Sequence, residues 1–163
     1  MRAILISAGK GERLYPLTKN TPKSLLEVGN GLTLLETQLH SLMDNNIKDV
    51  VIIVGYKAEQ IEAKIKDYQD RLNITTVFNP FFDCSNNLIS VWMARHYMDS
   101  DFITINGDDV FTPSVVENLL KCNNDITMVI DQKELYDDDD MKVVHANGNI
   151  LEVSKTIDTQ KAN

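Results

Sequence analysis

Short apolar segments alternate along this chain with segments whose apolar residues recur every three or four positions. The first pattern is typical of buried strands, and the second is typical of helices with one buried face. Strands are predicted at residues 2–6, 50–54, 73–78, 102–105 and 126–130. Helices are predicted at residues 33–46 and 58–68 and after residues 85 and 113. Strands that are joined through helices run parallel, because each right-handed crossover returns the chain to the same edge of the sheet.

The last part of the chain follows a different pattern. Residues 141–145 and 150–154 flank Ala146-Asn147-Gly148-Asn149, whose residue types favour the turn of a β-hairpin. The predicted fold class is therefore α/β, with a doubly wound, mainly parallel, Rossmann-like sheet, helices on both faces and a C-terminal antiparallel hairpin. Ligands bind such sheets at the carboxyl ends of the strands, so we expect the chemistry after the first and fourth strands, at residues 7–23 and 106–111.

Length and composition are those of one globular domain. The chain has 163 residues, of which 43% are hydrophobic and 25% are charged. It has no run of about 18 apolar residues and no apolar leader, so we predict neither a membrane span nor a signal peptide. Its two cysteines, Cys84 and Cys122, do not suggest a disulfide framework. Together these features favour a cytoplasmic protein.

The positive charge is concentrated near the start of the chain. The net charge is −8, yet residues 1–23 carry +4, which leaves −12 for the remainder. A basic loop on an acidic protein suits a small phosphorylated ligand, whereas the acidic remainder disfavours nucleic acid. We therefore expect small-molecule partners, with no nucleic acid and no membrane. The sequence leaves open whether copies of the chain form a homo-oligomer.

A glycine-containing loop, Gly9-Lys10-Gly11-Glu12-Arg13, directly follows the first predicted strand. Glycines let backbone N–H groups approach a phosphate closely. The loop is neither a dinucleotide fingerprint, since Leu14 stands where a third glycine is needed, nor a P-loop. Arg13 and Lys23 enclose a segment that Pro16 and Pro22 stiffen, and both cations suit phosphate oxygens.

The order of these residues is more specific than the glycine pair alone. The chain contains Ala8-Gly9-Lys10-Gly11-Glu12-Arg13-Leu14, then Pro16-Leu17-Thr18, then Pro22-Lys23. This series resembles the signature of the nucleotidyltransferase family that activates sugar 1-phosphates and phosphocholine with nucleoside triphosphates. The resemblance extends from residue 1 to about residue 155. Members of that family are usually longer, so we expect residues 1–163 to be a single nucleotidyltransferase domain that lacks the C-terminal part of the family fold.

The resemblance implies roles for the residues of the loop. A nucleoside triphosphate would lie over Ala8, Gly9 and Gly11, with Arg13 on its phosphates and Lys23 near the reacting α-phosphate and the acceptor. The implied reaction is in-line attack of the acceptor phosphate on the α-phosphate, with release of pyrophosphate. Because both reactants are anions, catalysis is expected from charge neutralisation and alignment rather than from a general base.

The second expected site segment is Asn106-Gly107-Asp108-Asp109. A carboxylate at this edge of the sheet can hold Mg²⁺, which prefers oxygen ligands and bridges phosphate oxygens. The resemblance assigns Asp108 as the metal ligand. Asp109 either supports that ligand or is an ordinary loop acid, and the second role is favoured. Lys155 resembles a lysine that meets the acceptor phosphate in the family, with an ordinary lysine at the end of a strand as the alternative.

The segment Asn86-Asn87-Leu88-Ile89-Ser90 bears on the choice of nucleotide. It is similar to phosphocholine cytidylyltransferases, in which this helix start lies beside the base. Asn86, Asn87 and Ser90 carry amide and hydroxyl groups that match cytosine, so CTP is favoured. Helix capping is the alternative role of these residues. Trp92 and Tyr136 are the aromatic residues available to a choline ammonium group, but Trp92 lies at helical spacing from Leu88, which favours core packing for it.

The acceptor is less well specified. Phosphocholine, a related phosphonate or amino-alcohol phosphate, and a sugar 1-phosphate all remain open, the last with dTTP or UTP as the nucleotide. A nucleotide-binding module that holds CTP without transferring it is a further alternative.

Overall fold

The computed structural model describes residues 1–162, which form two compact units with the boundary after residue 121. The strands of the first unit are β1 (Arg2–Ser7), β2 (Glu27–Gly29), β3 (Leu32–Thr33), β4 (Asp49–Val54), β5 (Asn73–Phe78) and β6 (Phe102–Asn106). Its α-helices are α1 (Leu34–Asp44), α2 (Ala58–Ile65), α3 (Asn87–Met93) and α4 (Pro113–Leu120). In the second unit, β7 (Lys142–Ala146) pairs with β8 (Asn149–Ser154). No helix among residues 1–162 is long and apolar enough to cross a membrane.

The main sheet has the strand order β5-β4-β1-β6, and all of its pairs are parallel. Alternate residues of β1 point to opposite faces. Leu5 packs in a core with residues of α1, α2 and α4, whereas Ile4 packs in a second core with Ala94, just after α3. The predicted parallel sheet with helices on both faces is therefore confirmed, as is the antiparallel C-terminal hairpin.

A buried polar network joins α1 to α2. The Thr33 hydroxyl accepts a hydrogen bond from the Glu36 N–H, and the Glu36 carboxylate accepts one from the Thr33 N–H, which completes a capping box. Lys64 of α2 lies 2.8 Å from the same carboxylate, and the Tyr68 hydroxyl lies 3.2 Å from it. Burial opposes ionisation of Glu36, but the hydrogen bonds from Lys64 and Thr33 outweigh it and lower the pKa of Glu36 to about 2.

Two local predictions differ from the structure. Residues 126–130 do not form the predicted fifth strand, and the Ile126 side chain is 90% exposed. A strand needs a neighbouring backbone to satisfy its N–H and C=O groups, and none of the described strands pairs with this segment. The short antiparallel pair of β2 and β3, which precedes α1, was not predicted.

Candidate active site

Three loops meet at the carboxyl edge of the main sheet, where the parallel strands end. They follow β1, β5 and β6, so residues that are far apart in sequence lie at one edge, as expected for a doubly wound fold. The loops after β1 and β6 are the two segments that the sequence predicted to carry chemistry.

Gly11 fixes the shape of the loop after β1. Its φ is +65°, in the left-handed region, and it precedes a 3-10 helix at Glu12–Leu14. The hydroxyl of the buried Thr18 donates a 2.7 Å hydrogen bond to the Gly11 carbonyl. A Cβ at Gly11 would lie 3.1 Å from the Lys23 Cβ, whereas a Cβ at Gly9 would meet no atom within 4 Å. Gly11 therefore lets the loop pack against Lys23, and Gly9 leaves open space above the backbone.

Lys23 and Asp108 form an ion pair across the site, with 2.5 Å between Nζ and Oδ2. Lys23 begins a 3-10 helix at Lys23–Leu25. Asp108 follows Gly107, whose N–H donates a 2.8 Å hydrogen bond to the Ile6 carbonyl of β1. A Cβ at Gly107 would lie 2.5 Å from that carbonyl oxygen, so only glycine allows the loop to come this close to β1. The structure thus brings together two residues that were predicted separately.

Other contacts hold the loop after β1 in place. Lys10 forms an ion pair with Asp83 of the loop after β5, and the hydrogen bond to Asp83 raises the pKa of Lys10 above its ordinary value. The Tyr56 hydroxyl donates to the Lys19 carbonyl at 2.5 Å, and Gln60 Nε2 donates to the Asn20 carbonyl at 3.0 Å. Tyr56 and Gln60 were missed, because polar residues at the start of a helix are common whether or not they contact a site.

Arg13 lies on the exposed 3-10 helix of the same loop. Its guanidinium adds a second positive charge to the segment that also carries Lys10. Ala8 is buried directly before the loop, and its carbonyl accepts a 2.9 Å hydrogen bond from the Tyr56 N–H. The segment is therefore anchored at Ala8 and exposed at Arg13, an arrangement that suits an anion arriving from solvent.

The two adjacent aspartates after β6 have different surroundings. Asp109 Oδ2 accepts hydrogen bonds from the backbone N–H and the side-chain amide of Asn106, both at 3.2 Å. Desolvation raises the pKa of Asp109 above its ordinary value. Asp109 therefore braces its own loop, whereas the Asp108 side chain is 45% exposed.

Mg²⁺ fits Asp108 only as part of a ligand set. Among residues 1–162, no group of three or more histidine, cysteine, aspartate or glutamate side chains is arranged to hold a metal. Mg²⁺ commonly uses one or two carboxylates and completes its coordination with substrate phosphates and water. The chemistry of the single exposed Asp108 carboxylate agrees with that mode, in which the nucleotide supplies the remaining oxygens.

The start of α3 contains the residues considered for base recognition. The Asn86 side chain accepts a 3.0 Å hydrogen bond from the Leu88 N–H, which is the capping role named as the alternative. Asn87 is exposed in the first turn. Ser90 is buried, and its hydroxyl accepts a 3.0 Å hydrogen bond from the fully buried Asn79. Asn79, which the sequence reasoning missed, therefore anchors this helix to the loop after β5.

Two further residues were singled out in the sequence. Trp92 is 60% exposed, and Leu88 is 70% exposed, so the assignment of Trp92 to core packing is wrong: the buried face of α3 is the opposite one. Lys155 belongs to the second unit, where it forms an ion pair with Asp139. The structure thus brings Arg13, Lys23 and Asp108 to one edge of the sheet and leaves the role of Lys155 as a prediction.

Comparison with known proteins agrees with this arrangement. A match to the family described as Nucleotidyl transferase covers residues 2–137. The chain belongs to this family. It is 36% identical over 118 residues to the choline-phosphate cytidylyltransferase of Streptococcus pneumoniae, which covers 72% of this chain and 49% of that protein. It is also 41% identical over 78 residues to the catalytic subunit beta of mannose-1-phosphate guanylyltransferase from Drosophila pseudoobscura pseudoobscura, over 48% of this chain and 21% of that protein.

A solved structure supports the fold. The inositol-1-phosphate CTP transferase from T. maritima matches with a TM-score of 0.74 and 24% identity, over 96% of this chain and 64% of that chain. At that identity the likeness concerns the architecture alone. The matched segments span about half the length of the choline-phosphate cytidylyltransferase and about a fifth of the length of the guanylyltransferase subunit.

Proposed function

We propose that the chain binds CTP and transfers its CMP group to a small phosphorylated acceptor such as phosphocholine, with release of pyrophosphate. The observation that carries this proposal is the meeting of Lys23 and Asp108 beside the glycine loop. One residue supplies a cation for phosphate oxygens, and the other supplies a carboxylate for Mg²⁺. A nucleotidyl transfer between two anions needs both kinds of group at one place.

The residues of the chain act mainly by neutralising the phosphate charge and by aligning the reacting groups. The backbone around Gly9, which leaves open space, admits the triphosphate, and Arg13 and Lys23 neutralise it as the acceptor approaches. Asp108 would hold Mg²⁺, which supplies charge neutralisation at the phosphate oxygens when it is bound. Alignment of the attacking and leaving oxygens then lowers the barrier without a covalent intermediate.

CTP is proposed over other nucleotides on two grounds. The exposed Asn87 amide at the start of α3 offers both a donor and an acceptor, and a relative at 36% identity is named as a cytidylyltransferase. The second candidate is nucleotidyl transfer from dTTP or UTP to a sugar 1-phosphate. The likeness to a mannose-1-phosphate guanylyltransferase favours this class of acceptor. A nucleotide-binding module without turnover is distinguished by a pyrophosphate-release assay with CTP and phosphocholine.

The test is calorimetric titration of Mg·CTP into the wild type and Arg13→Ala. Loss of a charge-assisted phosphate contact costs about 1.5–3 kcal/mol, so the affinity should fall roughly 10- to 150-fold. Lys121→Ala is the matched control, because it removes one positive charge from the far end of α4. Equal affinities for wild type and Arg13→Ala refute the nucleotide site, and tighter binding of UTP or dTTP than of CTP refutes the cytidylyl assignment.

A further inference from the structure

Gln38 is a polar residue in the middle of the apolar face of α1. It is 1% exposed and belongs to a helix whose Leu35, Leu39 and Leu42 are all completely buried. An amide that is buried in such surroundings destabilises the fold unless it forms hydrogen bonds. The hydrogen-bond partners of Gln38 therefore indicate its role in the structure.

The Gln38 amide spans the loop that carries Asp108. Nε2 donates to the Asn106 carbonyl at 2.9 Å and to the Asp109 carbonyl at 2.8 Å, so both of its protons are used. These two carbonyls lie on either side of Gly107 and Asp108 in sequence. Gln38 Oε1 is buried and accepts no hydrogen bond from the described residues. The two loop carbonyls fix the orientation of the amide, because the reversed orientation would place Oε1 against both carbonyl oxygens.

A second amide of the same helix provides a comparison. Asn45, at the end of α1, donates through Nδ2 to the Ser41 carbonyl and to the Pro113 carbonyl, both at 2.9 Å. Asn45 therefore contacts the same β6–α4 connection at the start of α4, outside the Asn106–Asp109 loop. Both residues carry a side-chain amide and belong to α1 or its end, but only Gln38 bonds to the loop that carries Asp108.

We propose that Gln38 is a positioning residue of the metal site: by holding both sides of the Asp108 loop, it fixes the carboxylate where Mg²⁺ and the nucleotide phosphates require it. This inference rests on the proposed function. Without the two hydrogen bonds the loop samples more conformations, and the metal must order it on binding. Side chains that support a metal ligand typically change metal affinity about 10- to 100-fold when they are removed.

The experiment measures binding of Mn²⁺, a paramagnetic substitute for Mg²⁺, by EPR titration in the presence of CTP. Gln38→Met, which keeps the side-chain size and lacks both donors, should weaken Mn²⁺ binding about 10-fold. CTP affinity measured without metal should stay within about twofold of the wild-type value. Asn45→Leu should leave the Mn²⁺ affinity unchanged, although both substitutions lower the melting temperature. Equal loss of Mn²⁺ affinity in the two variants would mean a general stability effect and would overturn the inference.

Two further variants separate the inference from the proposed function. Gln38→Asn keeps the amide but is one methylene shorter and cannot reach both carbonyls, so it tests the inference if Gln38→Met does not fold. Wild-type Mn²⁺ affinity in that variant overturns the positioning role. Asp108→Asn should weaken Mn²⁺ binding more than Gln38→Met does, and an unchanged affinity refutes the metal site itself rather than the role of Gln38.

Discussion

The ion pair between Lys23 and Asp108 predicts that removal of the lysine changes the affinities for metal and for nucleotide in opposite directions. In the free protein, the Lys23 ammonium group lies 2.5 Å from Oδ2 of the Asp108 carboxylate. A metal ion that binds this carboxylate competes with the ammonium group for its negative charge. Replacing Lys23 by methionine should therefore tighten metal binding to the nucleotide-free protein and weaken binding of the triphosphate.

The magnitude follows from the exposure of the pair. The Lys23 side chain is 28% exposed and that of Asp108 is 45% exposed, so water screens the attraction considerably. Ion pairs that are exposed to this degree contribute up to about 1 kcal/mol. Loss of a competitor of that strength corresponds to roughly fivefold tighter binding.

EPR titration of Mn²⁺ without nucleotide measures the first effect, and calorimetry with CTP measures the second. Lys121→Met is the control, because Lys121 forms an exposed ion pair with Glu117 within α4 and has no contact with the site in the described structure. Weaker or unchanged Mn²⁺ binding in Lys23→Met would refute the competition between the lysine and the metal.

Two further predictions concern the fold and the glycine loop. The pKa of Glu36 falls from 4.5 to about 2 on folding. Ionised Glu36 therefore adds about 3 kcal/mol to the free energy of unfolding above pH 4.5, and this stabilisation is lost as the pH falls towards 2. Urea unfolding of the wild type and Glu36→Gln at pH 7 and pH 3 should show the difference shrinking at the lower pH, and a constant difference would contradict the assignment. Gly11→Ala should lower the free energy of unfolding by about 1–2 kcal/mol, because its φ is +65°, whereas Gly9→Ala should retain stability and lose CTP affinity; equal stability losses in urea unfolding would contradict this reading.

The main sheet was predictable because its signal is strong and local. Residues 50–54 and 73–78 are apolar or β-branched runs bounded by turn residues, and they form β4 and β5 almost residue for residue. Residues 126–130 carry the same signal without a strand beside them. A strand exists only as part of a pair, so the pattern of one segment does not determine whether it forms.

The residues of the candidate site were predictable where the chain carries short motifs. Gly11 and Lys23 belong to one such motif, and Asp108 follows a strand at the expected edge. Gln38 and Asn79 were missed, because a buried amide has no characteristic spacing and its partners are backbone carbonyls or hydroxyls distant in sequence. Helical spacing placed Trp92 with Leu88 correctly, but spacing alone does not say which face of a helix is covered.

The exposure of Trp92 gives this protein an optical reporter of its own. It is the single tryptophan of the chain, and its indole is largely in water, with the Arg95 guanidinium 4.8 Å above the ring. It lies on α3, the same short helix that begins with Asn87. Fluorescence excited selectively at the indole therefore comes from one known position, so a change in its emission or quenching on adding a nucleotide reports on that helix without a label.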